Sequence, residues 1–248
     1  QEFLPQAASA GGKRAGARLT LNPKLNKFIE GLNSRLNDKN MATIERNVLA
    51  ELRKAFNGKP SSLKAILSHI PQADLKNING KYVAVDLGGT NLRISVVEFK
   101  DGKVVGEPEI FKITIPKELI NGKQAAAKNF FGFIAKRILE AVPQDEIYSL
   151  GFTFSFDVNQ TAIDAGTLTH WDKGFKVKGV VGKDVAQLLR EALDAKANEL
   201  GRTNNIKVDA LLNDTVATLL AGSLEDPVLT VLGIILGTGT NAALWFKG

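Results

Sequence analysis

VAVDLGGTNLRISVVEF at residues 83–99 and GIILGTGTNAALWFK at residues 233–247 share one design: an apolar strand, a tight glycine-containing turn, and a second apolar strand. Both turns close on the same tripeptide, Gly89-Thr90-Asn91 and Gly239-Thr240-Asn241. Glycine tolerates the backbone angles such a turn needs and puts no Cβ in the way, so successive N–H groups can meet an anion. Either turn alone reads equally well as a plain hairpin. The matched pair reads as a duplication built around phosphate-binding hairpins.

Working outward, Tyr82-Val83-Ala84-Val85, Ile94 to Phe99 and a Lys100-Asp101-Gly102 turn predict a β-meander. Phe111 to Ile115 predicts another strand, and Gln124 to Ala141 a helix with Ala127, Phe130, Phe131, Ile134 and Ile138 on one side. The predicted elements then run strand (Ile147 to Phe156), helix (Gly182 to Leu200, with Asp184 near its start), strand (Ile206 to Leu212), helix (Thr215 to Leu224) and strand (Leu229 to Leu236). Strands alternating with helices argue an α/β chain.

Before Lys81 the period is helical. Leu25, Phe28, Ile29, Leu32 and Leu36, then Ile44, Val48, Leu49, Leu52 and Phe56, predict two amphipathic helices, and Ser61-Ser62-Leu63-Lys64 can start a short third. Residues 1–22, rich in Ala and Gly and acid-poor, read as a flexible tail; their Arg content also resembles the end of an organellar transit peptide.

Composition limits the chemistry. The chain has 248 residues, 44% hydrophobic, with no cysteine and only two histidines, His69 and His170. Disulfides, thiolate metal sites, cysteine nucleophiles and histidine-rich metal clusters are excluded. No apolar run reaches the roughly 18 residues that span a bilayer, so the expectation is a cytoplasmic protein, with mitochondrial association as the alternative. Residues 1–80 hold 13 Lys and Arg against 6 Asp and Glu, and the rest hold 19 against 20. That basic N-terminal part is either a solvated helical surface or a docking site for a polyanion or acidic protein.

Five ordered motifs then point to a family. Asp86-Leu87-Gly88-Gly89-Thr90-Asn91-Leu92-Arg93, Leu150 to Phe156, Trp171-Asp172-Lys173-Gly174-Phe175, Asn213-Asp214-Thr215-Val216-Ala217-Thr218 and Gly237-Thr238-Gly239-Thr240-Asn241 resemble, in this order, the motifs of the hexokinase family, over residues 24 to 248. The resemblance is to fungal hexokinases, glucokinases and N-acetylglucosamine kinases. It implies the actin-like ATPase fold, in which two ribonuclease-H-like units face a sugar-binding cleft. On it the chain divides into the tail 1–22, a basic helical segment 23–80, a small domain 81–212 with the sugar-binding loops, and the start of a large domain, 213–248.

The resemblance also implies roles. Transfer of a γ-phosphoryl group to a sugar hydroxyl needs a carboxylate near that hydroxyl, donors around the phosphates, and Mg²⁺ to spread charge. Asp214 matches the base that takes the proton of the sugar's 6-hydroxyl; read from the residues alone it could equally be an N-cap aspartate. Asp86, which could also simply bond its own turn, matches the residue near Mg²⁺, through water. Gly88, Gly89, Thr90, Asn91 and Arg93 match the first phosphate loop, and Gly237, Thr238 and Gly239 the loop that meets the phosphates of ATP. Ser155, Asn159, Asp172, Lys173, Asn213 and Asn241 are the candidates for sugar hydroxyls, each of which must find a new partner when desolvated. Trp171 is expected to be a packing anchor, His69 and His170 surface or hydrogen-bonded residues, and Phe130, Phe131 and Phe133 helix core or edge.

Two positions depart from the family pattern: Asp172 stands where the resemblance implies threonine, and Asp157 where it implies proline. An Asp172 side chain in the cleft would either accept a sugar hydrogen bond or pair with Lys173. The family also continues well beyond Gly248, so the expectation is a fragment, or a remnant stabilised by a partner. The functional expectation is ATP-dependent 6-phosphorylation of glucose or a related hexose. Its rival is a catalytically silent relative, serving as a sugar sensor or as a structural subunit held through the basic segment.

Overall fold

The computed structural model describes residues 33–71, 78–144, 146–226, 228–237 and 240–245, with Lys27, Glu30 and Gly31. The tail 1–22, most of the first predicted helix, and Thr238 and Gly239 of the second glycine turn lie outside the described residues. The chain divides into two compact units, residues 1–65 and 66–248.

The first unit contains helix α1 (Asp38–Phe56). Asn37 caps it, its side chain accepting from the Asn40 N–H at 3.0 Å, while Asp38 in the first turn and Arg53 and Lys54 in the last complement the helix dipole. The helical spacing is as predicted, yet Met41, Ile44, Val48, Leu49 and Phe56 are all exposed. The third helix expected after Ser61 is absent, and both serines instead bond back to α1. Glu51 accepts from the Ser61 hydroxyl at 3.0 Å and from the Ser62 N–H and hydroxyl at 2.6 and 2.9 Å. The Ser61 hydroxyl also accepts from the Leu63 N–H at 3.1 Å, a local turn that no helix continues.

The second unit is built on a five-stranded sheet in the order β3-β2-β1-β4-β7. Strands β1 (Gly80–Leu87), β2 (Asn91–Lys100) and β3 (Lys103–Thr114) form the predicted antiparallel meander, and β1, β4 (Tyr148–Phe154) and β7 (Ile206–Leu212) run parallel. The turn at Asp101-Gly102 takes positive φ at both residues, as a tight hairpin demands. Lys81 and Glu146 pair at 2.6 Å at the other end of the sheet from the glycine turn, which raises the Lys81 ammonium above its ordinary value.

The core lies between β4, buried at alternate residues Tyr148, Leu150, Phe152 and Phe154, and helices α3 (Ala127–Ala141) and α4 (Val185–Glu199). Helix α3 contributes Phe130, Phe131, Ile134 and Ile138, and α4 contributes Val185, Leu189 and Leu193. Asp184 caps α4, accepting from the Ala186 and Gln187 N–H groups at 2.9 and 3.0 Å. Five elements differ from expectation. Strand β3 begins at Lys103 rather than Phe111, as an exposed edge strand whose first half has no buried face to read. Helix α3 starts at Ala127 because the chain just before it is extended and pairs with Lys178. The short helix α2 (Lys117–Ile120) and the hairpin of β5 (Val158–Ala162) with β6 (Ala165–Leu168) were not expected at all.

After β7 the chain enters helix α5 (Asp214–Glu225), then the hairpin of β8 (Leu232–Leu236) and β9 (Thr240–Leu244). Gly233 lets β8 lie against α5: a Cβ there would sit 2.8 Å from the Leu219 backbone nitrogen. The outer side of this hairpin is apolar and open, with Leu236 80% exposed.

Candidate active site

Parallel strands end together. Because β1, β4 and β7 are adjacent and parallel, Leu87 lies opposite Phe154, and Thr153 opposite Leu212. The residues that follow, Gly88, Ser155 and Asn213, therefore leave one edge of the sheet side by side. The carboxyl ends of such strands are where α/β proteins bind ligands, since the chain there turns away and leaves a crevice. Strand β2 starts at the same edge, bringing Asn91 and Arg93 to it.

The first glycine turn is closed by the Gly88 N–H donating to the Asn91 carbonyl at 3.0 Å. The Asn91 side-chain amide donates to the Thr90 hydroxyl at 3.1 Å, and the Thr90 carbonyl accepts from the Ile115 N–H at 3.1 Å. Asp86 and Arg93 are directly opposed in the β1–β2 ladder, and their side chains pair at 2.8 Å. Both are partly exposed, so the pair is a positioning contact more than a source of stability.

Lys173 connects two of these loops. Its ammonium donates to the Ser155 carbonyl at 2.6 Å and lies 5.3 Å from the centre of the Phe156 ring, while its stem passes 3.8 Å from where a Cβ on Gly89 would be. Trp171 anchors this loop as expected: its indole N–H donates to the Val177 carbonyl at 2.9 Å, and its ring stacks on Phe175 at 5.3 Å and meets Phe156 edge-on at 4.8 Å. The backbone of Lys173 and Gly174 is left-handed, with φ of +50° and +81°.

At the third strand end, Asn213 rather than Asp214 is the N-cap of α5. The Asn213 side-chain oxygen accepts from the Thr215 N–H at 3.0 Å and from the Asn241 amide at 2.9 Å. The asparagine of the second Gly-Thr-Asn tripeptide is thus tied to the strand end that carries Asp214. One Asp214 oxygen, Oδ1, accepts from the Thr215 N–H at 2.9 Å and its hydroxyl at 3.3 Å. The other takes no hydrogen bond among the described residues. Thr215, almost fully buried, thereby orients the carboxylate. Sequence reading quoted Thr215 within its motif and missed this part.

Two sequence candidates lie apart from these contacts. Asn159 is exposed on β5 opposite Thr167. Asp172 is exposed, forms no ion pair among the described residues, and contributes only its carbonyl, which accepts from the Phe175 N–H at 2.9 Å. The Asp172–Lys173 pair expected as one alternative is not made, because the lysine is taken by the Ser155 carbonyl. Gly237 ends β8. Asp157, beside Ser155, approaches His170 at 3.5 Å, and His170 and His69 are both exposed.

Comparison with known proteins fits this arrangement. The family model described as Hexokinase matches residues 25–224. Hexokinase-1 of Oryza sativa subsp. japonica is 40% identical over 197 residues, covering 76% of this chain and 38% of that protein. A glucokinase of Aspergillus niger is 35% identical over 228 residues, covering 82% and 44%. Among solved structures, a Schistosoma mansoni hexokinase complexed with glucose superposes with a TM-score of 0.63 at 37% identity, over 74% of this chain and 40% of that one. A second hexokinase gives 0.67 at 28% identity, over 85% and 50%. The chain spans between 34% and 44% of the length of the curated relatives it matches. With the family model covering most of its length and the sheet order of the fold in place, the chain belongs to the hexokinase family and has the α/β architecture of the actin-like ATPase fold.

Proposed function

We propose that this chain carries the sugar-binding half of a kinase that transfers the γ-phosphoryl group of ATP to the 6-hydroxyl of glucose or a related hexose. The observation that carries the reading is the strand end at Asn213-Asp214, where a carboxylate is held by one oxygen and open at the other. Asp214, with Oδ1 fixed by Thr215, presents Oδ2 as the base that removes the hydroxyl proton as the phosphorus is attacked. Asn213 and Asn241, bonded to each other beside Asp214, and Ser155 and Lys173, bonded to each other at the neighbouring strand end, are the donors and acceptors assigned to sugar hydroxyls, and Asn159 and Asp172, which share none of these contacts, are the remaining candidates. Thr90, Asn91 and Arg93 face the transferring phosphate from the first glycine turn, with Gly88 and Gly89 allowing its approach; Gly237, Thr238 and Gly239 do the same for the phosphates of ATP.

Asp86 is a hard oxygen ligand at the mouth of the first turn, and no group of three or more acidic or histidine side chains gathers among the described residues. One carboxylate acting through water, with phosphate oxygens completing the shell, is an ordinary arrangement for Mg²⁺, so the residues fit a cation carried mainly by the nucleotide. When bound, Mg²⁺ would spread the charge of the phosphates. The silent-relative reading rests on Asp157 and Asp172; the Asp172 carboxylate, which forms no ion pair among the described residues, adds negative charge beside Lys173.

Sugar binding tests the reading without requiring turnover. Trp171 packs on the loop that carries Lys173, so glucose should change its fluorescence saturably in the full-length protein. Lys173→Met, which removes a charged donor, should weaken that binding by about tenfold or more. Absence of any hexose-dependent signal, by fluorescence and by calorimetry, would contradict the proposal.

A further inference from the structure

The near-neutral balance of residues 81–248 conceals a local excess of one sign. Segments 117–128 and 173–183 hold seven lysines, at 117, 123, 128, 173, 176, 178 and 183, against one acid, Glu118. All seven lysines are exposed. The fold stitches the two segments together: the Lys178 N–H donates to the Ala125 carbonyl at 2.9 Å, the Ala127 N–H to the Lys178 carbonyl at 2.8 Å, and the Lys176 N–H to the Ile120 carbonyl at 2.8 Å. Around Lys176 and Lys178 the chain alternates, with Phe175 and Val177 buried and both lysines turned outward. The nearby acids are largely committed. Glu118 accepts from the Lys123 N–H, Asp184 caps α4, and Glu199 pairs with Lys196 while also feeling Lys128. Asp172 is the remaining acid beside the patch.

We infer that this lysine face docks the protein on an anionic lipid bilayer. Apart from Lys173, whose ammonium is held by the Ser155 carbonyl, its cations are compact ammonium charges on flexible stems, suited to a fluid array of headgroups, and neither segment has an arginine fork for fixed bidentate recognition. Phe175 and Phe130, in and beside the two segments, are buried, and Trp171, partly exposed, is stacked on Phe175, so the patch lacks an open row of rings on which nucleic-acid bases could stack. Val181, 52% exposed, sits on a loop turned by Gly179 and Gly182 at positive φ, where an apolar side chain can enter the headgroup region beside the lysines.

The test is sedimentation of the full-length protein with phosphatidylcholine vesicles, with and without 30% phosphatidylserine. Binding should require phosphatidylserine and weaken as salt is raised. The variant K123Q/K128Q/K176Q/K178Q should lose at least about tenfold in vesicle affinity, since each lysine near such a surface is worth roughly fivefold. A control with the same charge change elsewhere, K100Q/K103Q/K136Q/K207Q, should lose less than about threefold; circular dichroism of both variants confirms that they fold. Equal loss in the two variants would overturn the assignment, as would phosphatidylserine-independent binding. Tighter binding to single-stranded DNA than to the vesicles, lost in the first variant only, would reassign the face to nucleic acid and equally overturn it.

Discussion

Lys173 occupies a left-handed backbone conformation that a β-carbon makes unfavourable. Together with Gly174 it reverses the chain sharply enough for the ammonium to reach a carbonyl 18 residues earlier. The Trp-Asp-Lys-Gly-Phe motif identified this residue, but its partner was not legible, because nothing local ties Lys173 to Ser155. The same holds for Asn213 and Asn241. Both were named as sugar ligands from motifs 28 residues apart, and the bond between them exists only once α5 folds β8 and β9 back. That bond can be weighed by a double-mutant cycle. Asn213→Ala loses a helix cap and should cost about 1 kcal/mol in urea denaturation. Asn241→Ala should cost less, and the double variant should fall short of the sum by about 0.5 kcal/mol or more. Strict additivity would mean that the contact does not couple the two positions.

Elements with a buried face were the legible ones. Strand β4 and helices α3 and α4 bury alternate or i, i+3, i+4 positions, and the period in the sequence follows the burial. Strand β3 is exposed along nearly its whole length, so no alternation marks its start, and the β5–β6 hairpin is held by contacts such as the Gln160 amide donating to the Leu211 carbonyl at 2.8 Å, across 51 residues. Helix α1 shows the same limit at its end, where Glu51 gathers Ser61 and Ser62. The Lys54 ammonium at 2.5 Å, then the Ser62 N–H and the two hydroxyls, hold the Glu51 carboxyl at about 2 instead of 4.5. A depressed carboxyl favours the folded form while it is ionised, so this contribution is full above about pH 4.5 and fades as the pH falls toward 2. The Ser62 amide resonance should follow that titration, with a midpoint near 2, and Glu51→Gln should abolish it. A midpoint near 4.5 in the parent protein would show that the contact does not form.

At the scale of the molecule, the fold class and the family were legible because five motifs occur in the order the fold uses them, all but one at or just after a strand end of the sheet edge or in the loop that packs on it. The surface charge was not, since net charge counts residues without regard to where folding places them. Residues 1–248 expressed alone should self-associate through the β8–β9 hairpin, where Leu232, Ile234 and Leu236 are exposed beside unpaired strand edges. Ile234→Lys with Leu236→Lys should shift the sedimentation profile toward monomer, and a concentration-independent monomer in the parent chain would remove the argument. The most direct test of the kinase assignment is kcat for ATP-dependent glucose phosphorylation by the full-length protein and its Asp214→Asn variant, measured with the glucose affinity of each. General-base removal should cost on the order of 10²–10⁴ in kcat while glucose affinity changes less than about threefold; undiminished kcat in Asp214→Asn would contradict the account.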